Sequence, residues 1–303
     1  MSFGDHLDEL RRRLGRSMIA IAVCVFGMIP FKTEITSVYA APYRNMWMKG
    51  FVEYLEDFEE EVRSKGGADN LHESKREAFD WLQKYKDEIK EGQFPEDQAH
   101  KIRDIGGYRV PYFLVSLSGL ADFWTFMAAS VLFALILASP YVIFQMWAFV
   151  AAGLYRQERG VVYRSLPWAF VLLALGVGFG YFGVVPYGLF YLVKLMNFGQ
   201  VQPMLSVNQY FSLLFTLTAA LGIVFQLPLL MMALTKVGLV RHEGWKKNWR
   251  YVILGMVVVS AMFTPPDPFT QVMMATPMCL LYLVGLFFTR RIDAKVSERT
   301  EGA

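Results

Sequence analysis

Residues 123–143 read FWTFMAASVLFALILASPYVI, twenty-one positions without one charged side chain. A bilayer core about 30 Å thick takes roughly 20 apolar residues to cross as a helix. This stretch is long enough to do so, and its length decides the fold class. Working outward, five more gaps in the charge pattern qualify: Leu14–Ile35, Leu166–Lys194, Tyr210–Thr235, Tyr251–Phe263 and Met273–Phe288. In the first, only Ser17–Phe31 is free of charge, so its helix is expected to continue past the lipid into Lys32–Val38. The last two are short, and a tight turn through Thr264–Gln271 is expected to join them. The whole chain of 303 residues is 54% hydrophobic and 19% charged, against about a quarter charged in a soluble domain. Disorder is excluded, because it needs low hydrophobicity and high net charge. Cys24 and Cys279 sit far apart inside apolar runs, so no disulfide framework is expected. A formal charge of +3 does not point to nucleic acid.

Basic residues near the span ends set the orientation. With the N-terminus inside, residues 1–16, 155–165, 236–250 and 289–303 face the cytoplasm and carry sixteen Lys and Arg. The two short outside loops, 195–209 and 264–270, carry none. The expected fold is therefore an all-α membrane protein with six transmembrane helices and both termini cytoplasmic. Residues 289–303 form a short cytoplasmic tail. Acids at Asp5, Asp8 and Glu9 precede the first apolar run and no small-residue cleavage site follows it, so that span reads as an uncleaved anchor.

Residues 43–108 interrupt the six-span domain 1–303. Phe51, Tyr54, Leu55, Phe58 and Val62 recur at helical spacing, Gly66–Gly67 breaks the run, and Phe79, Leu82 and Tyr85 resume it. The pattern predicts a helical hairpin in the first periplasmic loop, capped by Asp69 or Asn70 with Glu73 in the second helix's first turn. A further break falls at Gly92–Pro95.

Catalytic chemistry finds no footing. His6, His72, His100 and His242 all lie outside the spans, no H-E-x-x-H helix occurs, and no cofactor or metal is expected. Gly176-Val-Gly178-Phe-Gly180 lies within a span with no strand before it, so it reads as helix-packing material. A secondary transporter of a small solute is the alternative function. Pro186 and Gln226–Pro228 break spans as transporters do, but ionisable groups within the spans are nearly absent.

The cytoplasmic face carries the chemistry instead. His6-Leu-Asp-Glu9-Leu-Arg11-Arg-Arg13-Leu14 is an amphipathic entry to the first span, with Asp8–Arg12 and Glu9–Arg13 spaced to pair on a helix. Pro140 to Phe149 and Leu154 to Arg159 form a second block, in which Glu158 is the lone acid in a loop with three arginines.

These segments resemble the TatC family, the multi-span core of the twin-arginine protein translocase. The resemblance rests on H-L-x-E-L-R-x-R-L at His6–Leu14 and on P-x-x-x-x-Q-x-W-A-F with L-Y-x-x-E-R at Pro140–Arg159. It rests also on G-x-x-F-x-x-P at Gly222–Pro228 and T-P-P-D-x-x-x-Q-x-x-x-x-x-P at Thr264–Pro277. The resemblance implies binding of twin-arginine signal peptides by Glu9 and Glu158, with Arg11, Arg13 and Phe149 around them. Tandem guanidiniums suit two separate carboxylates, since each takes a two-point hydrogen bond. It also implies TatA- and TatB-type single-span partners, self-association, the bacterial cytoplasmic (inner) membrane and energy from the proton-motive force. Gln226 and Pro228 would contact partner helices. Pro42, Asp267 and Gln271 match functional periplasmic positions, although a helix stop at Pro42 and a turn at Asp267 would also account for them. Gln226 stands where familiar members carry a glutamate. It hydrogen-bonds but does not titrate.

Overall fold

In the computed structural model, residues 3–70, 72–91, 93, 114, 116, 119–152, 159–195, 205–236 and 238–301 are described. The described residues are helical almost throughout. The helices are α1 (Phe3–Met28), α2 (Lys32–Ser64), α3 (Glu73–Lys90), α4 (Gly119–Ala152), α5 (Arg159–Gly178) and α6 (Val185–Leu195). They continue as α7 (Val207–Val224), α8 (Leu227–Lys236), α9 (His242–Lys247), α10 (Trp249–Phe263) and α11 (Pro268–Glu301). Five segments among the described residues are long and apolar enough to cross a membrane: Leu7–Phe31, Phe123–Phe149, Arg164–Lys194, Val207–Lys236 and Pro268–Asp293. α10 is a shorter apolar helix of 15 residues.

Two boundaries differ from the expected ones. The first span does not run unbroken into Lys32, because a 3₁₀ turn at Ile29–Phe31 divides α1 from α2. Pro30 lacks a donor and disfavours the α conformation at the residue before it. The last segment is longer than expected and begins at Pro268, so Gln271 lies in the first turns of α11 rather than in a loop. α11 continues as one helix to Glu301.

Prolines inside the apolar helices are accommodated locally. Pro140 cannot donate to the Ile136 carbonyl, and the Ser139 hydroxyl donates there instead at 2.6 Å, so α4 runs on unbroken. Pro186 leaves the carbonyl one turn back without its partner, and the helix widens into a π-helical stretch at Phe179–Val184 just before it. Pro228 falls in the first turn of α8, where a missing N–H costs little, and the turn at Phe225–Gln226 separates α7 from α8.

Contacts divide the chain into two compact units. The first comprises residues 1–36, 126–185 and 212–303. Its core joins α4, α5 and α8 through Ile143, Trp147, Ala151, Leu166, Ala169 and Leu229. Glycines set the close approaches. A Cβ added at Gly176 would lie 2.7 Å from the Leu221 carbonyl oxygen, and one at Gly180 would lie 3.0 Å from the Thr218 Cα. Gly178, between them, faces open space. Without a water-driven hydrophobic force between helices in lipid, contact of this closeness supplies the van der Waals attraction that holds them. The short α9 is pinned by polar bonds: the His242 backbone N–H donates to Asp293, Trp245 Nε1 to Thr235, and the Tyr282 hydroxyl to the Trp245 carbonyl.

The second unit comprises residues 37–125 and 186–211. Here α2 passes straight through Pro42 to Ser64, so Pro42 is not a helix stop. Trp47, Phe51, Tyr54 and Phe58 stack at successive turns along α2, and Phe58 meets Phe79 of α3 at 6.2 Å between ring centroids. Burial, with Glu61 adding to it, pushes the Tyr54 phenol up to about 12. Gly66 (φ 86°) and Gly67 (φ 112°) close α2, with Gly67 N–H on the Val62 carbonyl and Gly66 N–H on the Arg63 carbonyl. The chain then returns as α3, whose Gln83 and Lys86 both reach Glu59. The capping expectation for Asn70 fails: its amide reaches back to the Lys65 carbonyl at 2.9 Å, and His72 occupies the N-cap with no side-chain capping bond to the helix. An amide beside two left-handed glycines finds the orphan carbonyls of the helix just ended before the donors of the next. The break expected at Gly92–Pro95 lies largely outside the described residues.

Candidate functional site

The first turns of α1 carry acids and arginines at adjacent positions, and helical geometry sorts them onto different faces. Glu9, Arg13 and Ser17 share one face. Arg13 Nε donates to Glu9 Oε1 at 2.7 Å, and Nη2 lies 2.5 Å from the same oxygen in the ion pair. Its remaining terminal nitrogen, Nη1, donates to Oε1 of Gln145 on α4 at 3.2 Å. The Ser17 hydroxyl donates to the Arg13 carbonyl and fixes the same turn. The Glu9 and Arg13 side chains are only 21% and 19% exposed, so water weakens their attraction less than at an open surface. Gln145 is buried.

Arg11 lies on the other side of α1. With Asp8, Arg12, Gly15, Arg16 and Ile19 it lines an open groove of about 420 Å³. Glu9–Arg13 forms the expected ion pair; no Asp8–Arg12 ion pair occurs among the described residues. Phe149 lies one turn from Gln145 along the same stripe of α4 and is half-buried. Glu158 lies outside the described residues. The structure thus gathers Glu9, Arg13 and Gln145, sets Phe149 on the same side of α4, and turns Arg11 away.

Gln145 is the residue that sequence reasoning passed over. It was visible as a lone amide in an apolar helix, which in lipid needs a partner. Nothing local named that partner, 132 positions away.

The other candidates are dispersed. Gln226 donates through Nε2 to the Ala169 carbonyl on α5 at 3.0 Å, while its Oε1 is buried without a partner among the described residues. Pro228 follows at the start of α8 and is buried. Asp267 caps α11: Oδ1 accepts the Thr270 N–H at 2.7 Å, and Oδ2 is buried without a partner among the described residues. Gln271 is half-buried, its backbone N–H on the Asp267 carbonyl. Pro42 lies inside α2. Among the described residues, no group of three or more His, Cys, Asp or Glu could hold a metal ion.

Long apolar helices with a charge-bearing entry turn define a multi-pass α-helical membrane protein. The sequence profile of the family described as "Sec-independent protein translocase protein (TatC)" matches residues 5–277, and the chain belongs to that family. A TatC of Deinococcus radiodurans is 36% identical over 98% of this chain and 88% of its own length. The TatC of Escherichia coli K12 is 32% identical over 62% of this chain and 72% of its own. That of Desulforapulum autotrophicum is 35% identical over 61% and 69%. Coverage of 98% takes in residues 43–108, so the Deinococcus relative shares this region. A crystal structure entitled "Twin Arginine Translocase Receptor- TatC" superposes with a TM-score of 0.65 at 26% identity, covering 95% of this chain and 99% of that one.

Proposed function

We propose that this chain is the receptor and scaffold subunit of a twin-arginine translocase in the bacterial inner membrane. It takes twin-arginine signal peptides at its cytoplasmic face through Glu9 and Glu158, with Phe149 beside the peptide's apolar segment. α10 completes six spans, both termini are cytoplasmic, and residues 43–108 are periplasmic. TatA- and TatB-type single-span proteins dock through the region of Gln226 and Pro228. Pro42, Asp267 and Gln271 serve the periplasmic side. The proton-motive force drives passage of folded substrates.

The observation that supports this reading best is the state of Glu9. Its carboxylate already holds a guanidinium, so the shielding and geometry suit the side chain that a twin-arginine ligand presents. Family membership supports it independently, and the relatives named above are all protein translocase proteins. The small-solute transporter gains nothing from either. In cells relying on this chain, Glu158→Lys is expected to abolish export of twin-arginine substrates while the protein accumulates normally in the membrane. Undiminished export from a fully expressed Glu158→Lys variant would refute the receptor role.

A further inference from the structure

We propose that Arg13 is a built-in competitor for the signal peptide, and that Gln145 positions it. The inference rests on the receptor reading of Glu9 and deepens it. The Arg13 guanidinium stands where a ligand guanidinium would stand, with two of its nitrogens on Glu9 Oε1. Its third contact, Nη1 to the Gln145 carbonyl oxygen, comes from a buried side chain on another helix and fixes the plane of the fork. The Glu9 side chain stays 21% exposed, which leaves an approach to the carboxylate while Arg13 is in place.

A threshold in absolute affinity follows from the exchange. A ligand with one arginine trades its guanidinium for the one Glu9 already holds, so like replaces like and the net gain is small. A tandem pair makes the same trade and adds a second guanidinium, free to meet another carboxylate. Arg13 thereby sets a threshold that only two adjacent arginines pass. Gln145 holds the Arg13 fork in place on Glu9, so without it the competitor gives way more readily.

The test uses the full chain in nanodiscs and two synthetic signal peptides, one with Arg-Arg and one with Arg-Lys at the motif. Removing the competitor by Arg13→Met is expected to tighten the Arg-Lys and Arg-Arg peptides by a similar factor of about tenfold, the low end for a charge-assisted bond, because both make the same exchange at Glu9. Gln145→Leu should act in the same direction by about threefold and do nothing further in the Arg13→Met background. Arg13→Lys keeps the charge but cannot fork between both partners, and should give an intermediate value. If Arg13→Met weakens both peptides as Glu9→Gln does, Arg13 is a ligand contact and the proposal falls. If Gln145→Leu has the same effect with and without Arg13, the positioning role falls. Should Arg13→Met misfold, the Arg13→Lys and Gln145→Leu results decide alone. Failure of the receptor reading looks different: the unaltered protein would not prefer Arg-Arg, and Glu9→Gln would leave binding unchanged.

Discussion

The first and fourth apolar segments, Leu7–Phe31 and Val207–Lys236, read almost alike as sequence, yet of the apolar 18-residue stretch within each only 6% is buried in the first against 50% in the fourth. Along α1, Met18, Ile19, Val23 and Phe26 are each more than 60% exposed. Along α7, Leu214, Leu217 and Leu221 are almost fully buried. Hydrophobicity therefore places a helix in the membrane without saying whether its neighbour is lipid or protein. What separates the two is backbone access. The fourth segment lies where Gly176 and Gly180 of the third admit its backbone, whereas Gly15 and Gly27 of α1 face open space.

The largest effect should come from filling that approach. Gly176→Leu drives a side chain into the Leu221 carbonyl and the Phe225 ring, and should destabilise the protein by about 3 kcal/mol or prevent folding. Gly27→Leu meets nothing and should be neutral or stabilising by up to ~1 kcal/mol from helix propensity. Thermal unfolding in detergent reads both. Equal damage from the two would mean that α1 is packed against something its exposure does not reveal.

Cavity formation gives the next contrast. Leu214→Ala should cost roughly 2 kcal/mol, near the low end for soluble cores because lipid removes the water-transfer part. Ile19→Ala should stay within about 0.5 kcal/mol, as surface substitutions do. A cost above ~1 kcal/mol at Ile19, measured in the same unfolding assay, would erase the distinction between the segments.

The smallest effect concerns the polar break in the fourth segment. Gln226→Leu removes one bond to the Ala169 carbonyl and should cost about 1 kcal/mol. It should also weaken crosslinking to a single-span partner. Unchanged crosslinks would confine Gln226 to internal packing.

Much of the architecture was legible before any coordinates. Charge-free gaps locate a helix because a bilayer makes length and charge decisive, and glycine pairs end helices because only they take left-handed angles cheaply. The Glu9–Arg13 pair was legible for the same reason, since one helical turn brings positions four apart together. Capping at residues 69–72 was misread, because a side chain between two helices chooses between their ends by geometry that spacing does not encode. The length of α11 was misread because the motif after Pro266 looked like a turn, whereas Asp267 starts the helix by capping it.

The sequence by itself determined that the chain crosses a membrane as helices, where most of the helices begin, and which family it belongs to. Those properties follow from local composition and from motifs along one strand of text. Only the tertiary structure decided which segment is exposed and which is buried, that the Arg13 face of α1 lies against α4, and that Gln145 holds the cation beside Glu9. These depend on which helix lies against which at van der Waals distance, and separation along the chain carries no information about that.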